Sequence, residues 1–371
     1  MSELNLLPTP DEDDLRSTVA GFLAKRCDTA AIRDMYDGDR SAAGPVWRGL
    51  AGELGLAALL VPEELGGAGA SAREAAVVLE QVGGSVAPAP FLTSAVVATT
   101  VLLAADATDA ARDLLRGLAA GERTAALAVP FSAGSGGAVP TMAAEGDRVS
   151  GQATSVAGAL EADVLLVPVA ADGGVAVLAV RAADATVVPV ESLDMSRQLA
   201  DLSLEGAAGE VVVPAGAGAA AIDRALLTGA GLLASEQVGV AAWCLLTTVA
   251  YLKERRQFGR VVGGFQALKH RLADLYVAVE SANAAARYAA AALAADDADA
   301  ELAVHLAASY CGDAAVQAAE EAVQLHGGIG MTWEHPAHLY LKRAKSAQIA
   351  LGAAGAHRDA IGRLVDLPAP D

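Results

Sequence analysis

The chain has 371 residues, 54% hydrophobic and only 4% aromatic, with a formal net charge of −19. That length supports two or three domains, or one large unit with ample core. The excess of acid argues against nucleic acid, whose phosphates are bound by surplus positive charge. Charges punctuate every helix candidate, so no uninterrupted apolar run is expected to reach membrane-spanning length. The start, Met1 to Pro8, lacks the basic and apolar blocks of a signal peptide. Cys27, Cys244 and Cys311 are odd in number and far apart. They fit a reducing, cytoplasmic setting without a disulfide framework or zinc site.

Residues 1–124 read as helical. Pro10-Asp-Glu-Asp-Asp-Leu15 opens a first helix with carboxylates in its first turn, where the helix dipole favours them. Further helices are expected over Ser41–Leu54, Ser71–Val82, Phe91–Leu103 and Ala110–Ala119, with a glycine-punctuated loop from Leu59 to Gly69. Between 125 and 216 the character changes to short Val-, Leu- and Ala-rich runs separated by Gly, Pro, Asp and Ser. These predict strands at Ala125–Val129, Arg148–Val156, Val164–Val169, Val175–Val180, Thr186–Val190, Leu202–Leu204 and Glu210–Val213. With Gly173-Gly174 as a hairpin turn, they suggest a small antiparallel β domain. Residues 217–371 return to long helical segments with short joints, as in a helical bundle. The predicted class is α+β, mainly α.

Two stretches in the last third invite chemistry. Tyr251-Leu-Lys-Glu-Arg-Arg-Gln-Phe-Gly259 ends a long apolar segment in a cluster of bases, and Arg260 to Gln266 turns on Gly263-Gly264 before a helix restarts. Arginines keep their charge at any working pH, glycines let backbone come close, and Phe258 and Phe265 offer flat surfaces for a polyanion with rings. An ordinary helix hairpin with a solvated basic end explains the same residues. The second stretch, Gln324-Leu-His-Gly-Gly-Ile-Gly330, breaks a helix so that freed backbone amides can approach a phosphate or ring edge. A plain helix–helix turn would look alike. His326, His335 and His338, with Glu334 between them, match no strong metal-ligand spacing.

Taken together, the segments resemble the acyl-CoA dehydrogenase family over nearly the whole chain. The resemblance rests on Leu54-Gly-Leu56, Val61-Pro-Glu-Glu-Leu-Gly-Gly67, Asp147-Arg-Val-Ser-Gly151, Ala162-Asp163 and Leu193-Asp-Met-Ser-Arg197. It continues through Tyr251, Arg255-Arg-Gln-Phe-Gly259, Phe265-Gln266 and Gln324 to Gly328. It implies an N-terminal helical domain, a middle β domain, a C-terminal four-helix bundle and assembly as a tetramer. It also implies FAD in a cleft shared between protomers, acyl-CoA as substrate and an electron-transfer flavoprotein as acceptor. By motif position, Arg255, Phe258 and Gln266 would hold the pyrophosphate and adenine end of one FAD. Gln324, Gly327 and Gly328 would line a cofactor across the interface.

The family's reaction needs a desolvated carboxylate to take the proton beside the thioester. Its two usual positions fall here on Gly229 and Leu351, and the arginine that often follows the first is Ala230. Ala128 to Gly136 stands where relatives often have Thr-Glu-Pro followed by Gly-Ser-Asp. Glu236, two helical turns beyond Gly229 and about 10 Å along the axis, is the one candidate for a relocated base. The competing expectation pairs it with Arg255, Lys269 or Arg271. The small residues Gly229 to Gly231 hint at room for a bulky acyl group. Three readings follow: a working FAD-dependent dehydrogenase making a trans-2-enoyl-CoA, a non-catalytic subunit that completes the FAD site of a heteromeric one, or a flavin-free relative that binds acyl thioesters or a partner. Heteromeric members, some acting on sterol side chains, resemble this chain in their short C-termini and altered base positions.

Overall fold

The computed structural model describes residues 4–103 and 108–368. Six α-helices form the N-terminal layer: α1 (Pro10–Arg26), α2 (Thr29–Asp34), α3 (Ala43–Arg48), α4 (Ala72–Gly84), α5 (Thr99–Leu103) and α6 (Asp109–Ala119). Capping boxes start two of them. Thr9 accepts from Glu12 N–H while the Glu12 carboxylate accepts from Thr9 N–H, and Ser71 and Glu74 form the second box. The short α2 escaped sequence reading, because one turn and a half carries too little periodicity. Two segments expected to be α-helical, Gly49–Glu53 and the start of Phe91–Leu103, wind instead as π-helix.

The seven strands are β1 (Ala125–Leu127), β2 (Ala143–Glu145), β3 (Arg148–Ala157), β4 (Val164–Ala171), β5 (Gly174–Arg181), β6 (Thr186–Pro189) and β7 (Leu199–Val213). Their order is β1-β4-β5-β7-β3-β2, with β6 also on β7. The sheet is antiparallel as expected except at one edge, where β1 runs parallel to β4 through Ala125↔Val164. The two last predicted strands are one. β7 runs through Gly206 (φ 63°), pairing with β3 up to Ala208 and with β5 from Gly209 onward. A bend at a left-handed glycine lets one strand change partners. The turn at Gly173-Gly174 closes the β4–β5 hairpin as expected. β2 was missed because Ala-Ala-Glu carries no strand signal.

Helices α7 (Gly218–Glu254), α8 (Gln266–Ala294), α9 (Ala300–His326) and α10 (Ala337–Ile349) pack as a bundle, with α11 (Ala354–Leu364) on α9. Between α7 and α8 lies a two-strand hairpin, β8 (Arg256–Gln257) and β9 (Arg260–Val261). Glu236 interrupts the apolar sequence of α7, as expected of every helix candidate. By length and composition α7 still qualifies as a candidate membrane span, and 72% of its most apolar window is buried inside the fold. It is the core helix of the molecule. One apolar cluster joins Leu79 of α4, Leu127 of β1, Leu232 of α7 and Cys311 of α9, while the sheet keeps a second cluster of its own around Val149, Leu165 and Leu178.

Glycines set how closely α4 and α7 approach. A Cβ on Gly239 would overlap the Glu80 carbonyl, and one on Gly83 would overlap the Glu236 carbonyl. Tyr340 on α10 then ties all three helices, donating to Gly84 O at 2.8 Å and stacking on Trp243 with ring centres 3.5 Å apart. Gly239→Ala should therefore destabilise the fold by about 3 kcal/mol, read as a lowered urea midpoint; an unchanged midpoint would contradict backbone-to-backbone packing at this crossing.

Candidate functional site

The basic stretch folds as a projecting tip. Arg255 ends α7 with its N–H on Tyr251 O at 2.9 Å. Phe258 (φ 49°) and Gly259 (φ 74°) then both take left-handed conformations between β8 and β9, the requirement of a two-residue turn matched to strand twist. Glycine takes that conformation freely, but phenylalanine does so at a cost of order 1–3 kcal/mol. The result is a ring 88% exposed at the tip of the hairpin. Arg255 and Gln266 are exposed beside it, and Arg260 lies over the Phe265 ring at 4.5 Å.

The glycine break at the end of α9 comes to the same end of the bundle. Tyr251, one turn before Arg255, stacks on His326 with ring centres 4.5 Å apart. Arg271 of α8 pairs with Glu321 of α9 at 2.7 Å. Gln324, Gly327 and Gly328 face outward, and a Cβ at either glycine would meet open space. His335 packs on His326 at 4.1 Å, and His338 lies against Trp333. Burial, with His326 and His338 nearby, holds His335 down to about 4. All six residues expected at a dinucleotide are thus exposed, on two segments linked through the Tyr251–His326 stack. A guanidinium, an exposed ring and two open glycines fit the outer half of FAD.

The chamber deeper inside is nearly filled by its own walls. Both usual base positions converge there with the 129–131 segment. A Cβ on Gly229 would lie 2.8 Å from Val97 Cγ2 and 3.0 Å from Leu351 Cδ1. Leu351 N–H donates to Phe131 O at 2.8 Å, and a Cβ on Gly134 would meet Gly352 Cα at 3.0 Å. What remains among Thr93, Val97, Val129, Phe131, Leu226 and Leu351 is a cavity of about 20 Å³, room for about one water. The hint of space for a bulky acyl group is overturned as well. Val97 and Leu351 fill the notch at Gly229, and Val304 and Leu293 fill that at Gly231.

Glu236 does not face this chamber. Its side chain is fully buried between two guanidiniums. Arg197 Nη2 donates to its Oε2, and Arg343 Nε sits 3.0 Å from Oε1. That second contact is an ion pair off the hydrogen-bond line, so both atoms lack a hydrogen-bond partner. Arg343 also donates to Asp194 Oδ2 at 3.1 Å and to Ala87 O at 3.0 Å. Burial works against the charge on Arg343, but Glu236 and Asp194 together hold it above its ordinary value. The expected partners are therefore corrected: Arg271 pairs with Glu321, Arg255 is exposed, and the actual partners come from the β6–β7 connection and α10. A carboxylate so engaged has no free face for a substrate proton. The short Asp194-x-x-Arg197 spacing carried a signal that sequence reading left without a role.

The family model described as the acyl-CoA dehydrogenase N-terminal domain matches residues 9–122, and that of the C-terminal domain matches residues 216–365. Acyl-CoA dehydrogenase IpdE2 of Mycobacterium tuberculosis is 39% identical over 93% of this chain and 94% of its own. A chain of the ChsE4-ChsE5 complex from Mycobacterium tuberculosis superposes with a TM-score of 0.87 at 29% identity, covering 98% of this chain and 100% of that one. A variant of the Tcur3481-Tcur3483 steroid ACAD gives 0.83 at 29% identity over 96% and 98%.

The buried cluster predicts its own mutant. Glu236→Gln leaves two buried arginines against one carboxylate, and should cost about 3–5 kcal/mol of stability by urea unfolding. A loss under about 1 kcal/mol would mean that the pairing seen here carries no weight.

Proposed function

The chain belongs to the acyl-CoA dehydrogenase family, and from that premise we propose that it is the base-less companion subunit of a heteromeric acyl-CoA dehydrogenase. One observation carries the reading: the two places where a base would stand have closed on each other, Leu351 against Gly229, with no carboxylate between them. The reading in which Glu236 acts as a relocated base is disfavoured by its burial between Arg197 and Arg343. A flavin-free role is disfavoured by the outward set Arg255, Phe258, Gln266, Gln324, Gly327 and Gly328.

In this proposal a paralogous partner supplies the carboxylate and the chamber for an acyl-CoA. This chain supplies the outer wall of the dinucleotide site. Arg255 neutralises pyrophosphate charge, Phe258 gives a flat face at the hairpin tip, and the broken helix at Gly327-Gly328 admits backbone contact. When bound, FAD supplies the acceptor for the β-hydride of the thioester substrate. The likeness to a steroid ACAD favours a substrate with a sterol-derived acyl group, and the likeness to a complex of two named chains favours a mixed tetramer. An electron-transfer flavoprotein would reoxidise the assembly, in the cytoplasm.

Purified alone, the chain should leave acyl-CoA unoxidised, with no loss of flavin absorbance; co-expression with a paralogue should restore bleaching. Arg255→Ala in this chain should then weaken FAD retention by that pair about tenfold or more, the scale of a charge-assisted hydrogen bond. Bleaching by the chain alone, or wild-type retention in the variant, would contradict the companion role.

A further inference from the structure

Behind the turn that closes the chamber, His305 of α9 and His357 of α11 meet Nδ1 to Nδ1 at 2.8 Å, both buried. The turn itself packs on His357: a Cβ on Gly352 would lie 3.0 Å from its Nε2, and the Gly352 and Leu351 carbonyls face the same ring. Two ring nitrogens at this distance share one hydrogen, so one donates and the other accepts. With Nε2–H of His357 serving the turn carbonyls, its Nδ1 is the acceptor and His305 Nδ1–H the donor. His305 Nε2 then carries a lone pair, consistent with its 3.8 Å separation from Glu301 Oε1.

We propose that the His305–His357 pair is an acid-sensitive latch, holding the 350–353 turn, and with it Leu351, closed while His357 carries one proton and releasing it when His357 takes a second. The turn is poised to move, because Leu351 (φ 52°) and Gly352 (φ 104°) are both in left-handed conformations that the surrounding contacts impose. Release would break Leu351 N–H to Phe131 O and withdraw the leucine methyl from Gly229, opening the chamber. The latch depends on the geometry of that closure and not on the companion-subunit reading.

The protons are not equivalent. An extra proton on His305 Nε2 points toward Glu301 and leaves the Nδ1 contact intact. Once that site is filled, a further proton on His357 Nδ1 sets two N–H groups against each other. Of the other charges around the pair, Arg363 on α11 opposes protonation and Asp223 on α7 favours it. Burial and then Arg363 push His305 below its ordinary value. Burial and then His305 bring His357 from 6.5 down to about 4. A base lowered in the closed state binds its proton more readily in the open one. Closure is therefore fully favoured above about pH 6.5 and weakens as pH falls toward 4. From those two values the open-to-closed ratio rises about 30-fold between pH 8 and pH 5.

Hydrogen exchange of the segment 348–358 in the full chain, corrected for the intrinsic pH dependence of amide exchange, reads this ratio directly. The wild type should show the rise of about 30-fold, and His357→Asn, whose amide oxygen can accept from His305 without titrating, less than about threefold. Should that variant not fold, His305→Asn keeps a donor, removes the opposing imidazolium and should shrink the rise. Equal corrected exchange in the wild type at both pH values, or an undiminished rise in whichever variant folds, would overturn the latch.

Discussion

Leu351 adopts a left-handed backbone conformation that non-glycine residues seldom take. It gives its N–H to Phe131 and presses a methyl against Gly229. Three separate parts of the chain must cooperate to hold it: the start of the 130s loop, the middle of α7 and the turn after α10. The strain is of order 1–3 kcal/mol, tolerated because a buried backbone hydrogen bond and a filled notch offset it. The same arrangement leaves no room for a carboxylate at position 351. A carboxylate at 351 would enter a cavity walled by Val97, Val129, Phe131 and Leu226, where Thr93 is the lone polar side chain among the lining residues. An isolated charge there would be costly. The apolar wall and the missing carboxylate are therefore one feature.

Charge is concentrated elsewhere, in a buried quartet that seats the sheet on the bundle. Asp194 and Arg197 come from the β6–β7 connection, Glu236 from α7 and Arg343 from α10. Two acids against two bases leave no net formal charge, which is how four ionised groups can share a dry interior. Arg197 also lies over the Phe131 ring at 5.5 Å, so the quartet and the closed chamber touch. The interior is thus fixed by paired charge and close packing, whereas the outer surface keeps Arg255, Phe258 and the open glycines available. Inward closure and outward display on one chain are the two features on which the proposed companion role rests.

Much of this was legible in the sequence, for identifiable reasons. The first helix was set by Pro10 and the carboxylates of its first turn. The β4–β5 hairpin was set by Gly173-Gly174, and the α7–α8 hinge by its bases and glycines. Local signals of this kind survive without tertiary context. What escaped depended on distant partners. Nothing near Glu236 in sequence names Arg197 or Arg343, and nothing near Gly229 says that Leu351 will fill its notch. The parallel β1–β4 pairing and the passage of β7 between two partners are likewise set by neighbours far along the chain. His305 and His357 are separated by the rest of α9, all of α10 and the turn that follows it, and only their packing reveals them as a pair.

The central claim is that this chain completes a dinucleotide site whose other half belongs to an unlike chain. Native mass spectrometry of the intact assembly, isolated with a co-expressed paralogue, measures that most directly. Both chains should appear in equal number, with one FAD for each unlike pair. An assembly of this chain alone, carrying one FAD per chain, would contradict the claim.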